Sequence, residues 1–181
     1  MKVHIRRRAL LALPGVALLA GCETASQPPA IVQGPALGVP SVFGPVVTLT
    51  TTLPSRVPLR TALALQYGAS RSGYGSLFTY SSSGQVMRLF ENRSIIGGRL
   101  IDFPNRIEPV IRFDEPAGAE TFILVFTIHS FRWLAPADFA DTTPFARLRL
   151  DPNGFESRLA AALASLPAGT YAVQRLTILT F

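Results

Sequence analysis

From Val46 onward the chain is a succession of short β-branched or aromatic runs cut by turn residues, a pattern that commits it to a mainly β domain. Residues 59–67 alternate, with Leu59, Leu63, Leu65 and Tyr67 on one parity and Arg60, Ala62, Ala64 and Gln66 on the other, as a half-buried strand requires. Residues 74–80 and 85–90 flank Ser81-Ser82-Ser83-Gly84, whose glycine accepts positive φ, so the pair reads as a hairpin. Residues 46–53, 99–103 and 107–113 give three further strands, Pro109 placing the last at an edge or a bulge. The run 121–128 is almost wholly apolar and is expected at the centre of a sheet. Residues 129–152, with Pro136, Pro144 and Pro152, read as irregular. Asp151 or Asn153 can cap a helix over 155–166 that puts Phe155, Leu159, Ala162, Leu163 and Leu166 on one face, and Pro167 and Gly169 stop it. Residues 170–181 alternate again as a final strand. Seven or eight strands with one C-terminal helix before the last strand give a single β-sandwich, immunoglobulin-like or transthyretin-like.

The N-terminus has a different physical character. Lys2, Arg6, Arg7 and Arg8 precede an apolar stretch at 9–20. As a helix rising 1.5 Å per residue that stretch is only about 18 Å long against a hydrocarbon core of about 30 Å, which suits an export signal and not a stable span. It closes on Leu19, Ala20, Gly21 and Cys22, which resembles the lipobox of bacterial lipoprotein precursors. The resemblance implies that a dedicated signal peptidase accepts the small residues, that the Cys22 thiol carries a diacylglyceryl group, and that the mature chain begins at Cys22. The contrasting reading is a free cysteine beside an ordinary cleaved signal or an uncleaved anchor. Several acyl chains exceed the two signals that stable anchoring needs. In the proteobacterial sorting system aspartate after the cysteine retains a lipoprotein in the inner membrane; Glu23 stands there, so the expected location is the outer membrane, lipid-anchored, with the domain in the periplasm.

The organisation expected is a signal peptide at 1–21, a lipidated cysteine and tether at 22–44, and the sandwich at 45–181. Pro28, Pro29, Pro35 and Pro40 among small residues mark the tether. Its reach is roughly 70 Å as extended polyproline and nearer 25 Å as a coil. Four of the 17 basic residues leave with the signal, so 13 face 11 acidic ones, a net charge of +2 that asks for no nucleic acid. Cys22 is the single cysteine, which rules out an intramolecular disulfide. His129 is the one histidine after the signal, so no multi-histidine metal site forms and no cofactor is expected.

The segments Gly73-Tyr74-Gly75-Ser76-Leu77-Phe78-Thr79-Tyr80, Ser83-Gly84-Gln85-Val86 and Arg88-Leu89-Phe90-Glu91-Asn92-Arg93 resemble a bacterial β-sandwich family of unknown function. That family carries a Gly-Tyr strand, a turn ending in glycine and a Leu-Phe-Pro-Asn corner, Glu91 replacing the proline here. Gly97-Gly98-Arg99 and Phe103-Pro104 match its later turn and its closing proline, and Pro116-Ala117-Gly118-Ala119-Glu120 before an apolar strand matches its Pro-x-Gly-x-Glu entry. The resemblance implies a small envelope sandwich serving contacts and not chemistry. Each residue also has a structural reading: Gly84 in a turn, Tyr74 and Phe90 in the core, Asn92 bonded to its own loop.

The candidate interaction surface is Arg71, Arg88, Arg93, Arg99 and Arg106, with Trp133. Such arginines suit phosphates, carboxylates or an acidic envelope protein. The alternative is a solvated rim paired with Glu91, Asp102 and Glu108. Trp133, Phe131 and Phe139 either cap the sandwich or mark an interface. No Gly-x-Ser-x-Gly elbow is present, Gly68-Ala69-Ser70-Arg71-Ser72 lacking the second glycine. The expectation is a non-catalytic binding or assembly module in the cell envelope. One alternative is a lipoprotein subunit of a secretion apparatus; another is a periplasmic hydrolase using His129 with Asp138 or Asp141.

Overall fold

The computed structural model describes residues 44–141 and 145–181. The signal segment, the Leu19-Ala20-Gly21-Cys22 motif and the tether through residue 43 lie outside the described residues. In chain order the elements are β1 (Val47–Thr51), β2 (Arg56–Val57), β3 (Leu65–Ala69), β4 (Gly73–Tyr80), β5 (Val86–Ile95), β6 (Leu100–Phe103), β7 (Ala119–Thr127), β8 (Ala146–Arg147), α1 (Pro152–Ala164) and β9 (Tyr171–Thr180). Two sheets pack into a β-sandwich: one of three strands in the order β1-β3-β6, the other of six in the order β2-β9-β7-β4-β5-β8. The nine described strands exceed the seven or eight expected because β2 and β8 are two-residue pieces too short to leave a periodic signal.

Side-chain parity explains the layering. On β7, Phe122, Leu124 and Phe126 point into the sandwich against Leu49, Leu65 and Tyr67, while Ile123 and Val125 point the other way under α1. Covered on both faces, β7 is buried from Glu120 to Thr127 and lies between β9 and β4, the central place its apolar run implies. β4 behaves alike, with Leu77 in one cluster and Phe78 in the other.

The helix is set by its cap and its stripe. Asp151 Oδ1 accepts the Gly154 N–H at 2.7 Å, an N-cap worth about 1 kcal/mol. Pro152 sits in the first turn, where its missing N–H costs nothing. Phe155, Leu159 and Leu163 are buried. Phe155 meets Phe78 at 5.1 Å and Trp133 at 5.5 Å between ring centroids, and Phe78 meets Trp133 at 5.6 Å.

The hairpin forms as expected: Gly84, at φ 78°, closes a turn in which its N–H bonds Ser81 O at 2.9 Å. β5 runs past residue 90 to Ile95 with two irregularities in its register against β4, one between Phe90 and Arg93, where Asn92 adopts φ 49°, and one between Arg88 and Phe90. β9 pairs with β7 along its length, and its last residues take β2 as a parallel neighbour.

Three expectations are corrected. Residues 107–113 form no strand: Ile107 and Val110 are exposed, and only an isolated bridge joins Arg112 to Ala62. Pro109 lacks a ladder N–H, and Glu108 is drawn aside by Arg93. The strand expected over 59–67 begins only at Leu65, because Arg60 adopts φ 70° and its N–H bonds Phe113 O at 2.7 Å. Leu63, Leu65 and Tyr67 are still buried as their parity requires. Tyr74 is not a core residue: it is 36% exposed, at the first residue pair of β4 with β7.

Candidate functional site

The arginines expected to share a surface separate into three groups. Arg88 and Arg93 lie on β5 and brace it. Arg88 binds Glu91 at 2.7 Å, and its guanidinium covers the Phe139 ring at 4.2 Å. Arg93 lies over Phe90 at 4.2 Å and pairs with Glu108. The other oxygen of Glu108 accepts the Asn105 N–H at 2.8 Å, so one carboxylate ties the loop after β6 to β5. Burial works against the charge on Arg93, yet Glu108 and Tyr67 hold its pKa above the ordinary guanidinium value. The Tyr67 hydroxyl, buried without a hydrogen-bond partner among the described residues, has its pKa pushed up by that burial, the nearby Arg93 opposing the shift. These two arginines do structural work and are only partly open to a partner.

Trp133 is likewise drawn inward. With Phe131 and Phe139 it packs against the cluster under α1, so these aromatics cap the six-stranded sheet. Asn92 helps to place them: its Oδ1 accepts the Phe131 N–H at 2.9 Å, and its own N–H donates to Ser76 Oγ at 3.0 Å. Asn92 therefore bonds across to the segment after β7 and not within its own loop.

Arg71 and Arg99 form the group that stays free. The turn after β5 and the loop after β3 touch, since Gly97 N donates to Ser72 Oγ at 3.0 Å and a Cβ on Gly97 would lie 2.8 Å from the Arg71 carbonyl carbon. Only glycine allows that approach. Both arginines are exposed and neither has an acidic partner among the described residues. Arg106 lies apart, in the loop beyond Phe103, at the other end of β6.

His129 is exposed just past β7. The two carboxylates expected to serve it are held by arginines, Asp138 by Arg158 at 2.6 Å and Asp141 by Arg147 at 2.6 Å. Asp141's pKa is lowered by the backbone and side-chain hydrogen bonds from Arg147. A cavity of about 140 Å³ lies among Leu63, Leu65, Gln66, Asp102, Phe103 and Pro104. It falls short of the roughly 300 Å³ at which small-molecule pockets begin.

Sequence reasoning missed Glu120, 8% exposed at the start of β7. Its parity with Phe122 and Leu124 was the available signal, for alternation turns all three into the sandwich. Burial pushes its carboxyl up to about 7, the Ser82 backbone opposing. No protein-family model matches the chain, and no curated protein matches it.

Proposed function

We propose that this protein is a bacterial envelope lipoprotein, anchored in the outer membrane through acylated Cys22, whose periplasmic β-sandwich is a non-catalytic binding or assembly module. The observation that carries this reading is Leu19-Ala20-Gly21-Cys22 placed after a basic and apolar leader and before a proline-rich tether. The arrangement of the domain is consistent with a positional role: Arg93 and Asp141 tie loops to strands, Asp138 is held by Arg158 of α1, and Arg88 pairs with Glu91 along β5. Acylation fixes the domain to a leaflet, the tether sets its reach, and its exposed loops and edges engage a protein of the envelope.

The test is crosslinking of native membranes followed by capture of this protein, with a Cys22→Ala variant beside it. The reading expects a defined envelope protein recovered with the acylated chain and lost with the variant. Equal recovery of the same protein by both forms would show that anchoring plays no part in the assembly. A multiprotein membrane complex would place the module in a secretion apparatus.

A further inference from the structure

β1, β4, β6 and β9 begin, and β3, β5 and β7 end, at one end of the sandwich, and this proximal end is where residue 44 leads into the domain. The segments that build it are 44–46, 70–72, 96–99, 128–130 and 165–170, held together by Ser70 N to Val46 O at 2.8 Å, Gly98 N to Ala69 O at 2.8 Å and Ile128 N to Thr170 O at 2.9 Å. None of the five contains an aspartate or a glutamate, whereas the opposite end carries Glu108, Asp114 and Glu115. The proximal end presents Arg71 and Arg99 beside three apolar side chains left in water, Val46, 67% exposed, Ile96, 55%, and Leu100, 58%; the exposed Ile107, Val110 and Phe181 of the opposite end stand instead among those acidic residues. Val46 and Leu100 lie on the outer face of the three-stranded sheet, the Leu100 side chain covering Gly68.

Apolar groups at a rim of uncompensated arginines are the composition of a surface that meets phospholipid headgroups: the guanidinium groups pair with phosphates while branched side chains enter the acyl boundary. From this we infer that the proximal end docks on the anionic phospholipid surface of the membrane that holds the anchor, with Arg71 and Arg99 on phosphates and Val46, Ile96 and Leu100 inserted between headgroups. The inference rests on the lipoprotein reading and adds which face of the domain the membrane sees. Charge complementarity selects the occupant, and chain continuity supports it, since the described chain enters the domain at this same end, with Cys22 twenty-two residues before residue 44 in the sequence.

The test uses the full acylated protein, purified from membranes and reconstituted into vesicles of phosphatidylglycerol and phosphatidylethanolamine in equal parts, or of phosphatidylcholine alone. A fluorophore is attached at Ser130→Cys, on the proximal end, or at Ser83→Cys, in the hairpin turn at the other end, and nitroxide-labelled lipid is the quencher. The expected result is quenching at position 130 and not at 83, on the anionic vesicles and much less on phosphatidylcholine, relieved by high salt as screening shortens. Each arginine near such a surface changes the docked-to-free ratio about fivefold, so Arg71→Gln with Arg99→Gln lowers it roughly 25-fold. Both positions are exposed, and an unchanged melting curve confirms that the variant is folded.

Equal quenching at both positions, equal quenching on both lipids, or none on either by a protein that still floats with the vesicles overturns the inference. Shielding of position 130 that appears in detergent and rises with protein concentration overturns it too, in favour of a second copy of the chain. Failure of the underlying reading looks different: without acylation the protein does not float with the vesicles.

Discussion

Replacing Phe155 with alanine is expected to destabilise the domain by about 3–5 kcal/mol and to free α1 from the six-stranded sheet. Phe155 is fully buried, and its ring is the meeting point of Phe78 and Trp133. Truncation removes the transfer free energy of the ring and leaves a cavity between a sheet and a helix that cannot both collapse into it. The lost contacts include two aromatic pairs, each worth about 0.5–1.5 kcal/mol beyond burial. Denaturant unfolding followed by Trp133 fluorescence reads the effect directly, because Trp133 lies against the missing ring. A loss under 1 kcal/mol would mean that α1 contributes little to holding the outer face of the sheet.

Glu120→Gln is expected to remove a pH dependence that the wild-type domain shows between mildly acidic and neutral conditions. In the folded chain burial keeps the Glu120 carboxyl protonated up to about pH 7. In the unfolded chain the same group ionises in the ordinary carboxylate range, so there the unfolded state binds fewer protons and stability falls as pH rises. The contribution of the neutral buried carboxyl is complete below that range and is lost as pH climbs to about 7. Glutamine keeps the shape without the charge. The variant should exceed the wild type by only about 1 kcal/mol at pH 5 and by about 3 kcal/mol at pH 8. Parallel stability profiles across that interval would show that Glu120 ionises freely in the fold.

These two residues also show what a single sequence discloses. The stripe of Phe155, Leu159 and Leu163 was plain, and so was the cap, because both are local: one follows the helical period and the other is three residues long. Gly84 was legible for the same reason. The centrality of β7 followed from an apolar run with no polar face to give to water. What escaped was decided by partners distant along the chain. Residues 107–113 have a strand-like composition, but Glu108 is held by Arg93, fifteen positions away, and the segment stays a loop.

The arginines teach the same lesson. Their clustering in sequence suggested one surface, yet β5 places Arg88 and Arg93 over aromatic rings and beside carboxylates, and only Arg71 and Arg99 are brought together in solvent. Trp133, open in the sequence to capping the sandwich or marking an interface, packs partly buried against the cluster under α1. Glu120 was the reverse case: alternation with Phe122 and Leu124 turned it inward, and a charged residue type masked that signal.

The anchor is read from the mass of the N-terminal peptide of the protein purified from membranes, taken with the membrane fraction of a Cys22→Ala variant. A lipoprotein gives a chain beginning at Cys22 and bearing a diacylglyceryl group, with membrane attachment abolished in the variant. An unmodified cysteine, a chain that keeps residues 1–21, or a variant that stays with the membrane would contradict the lipoprotein reading.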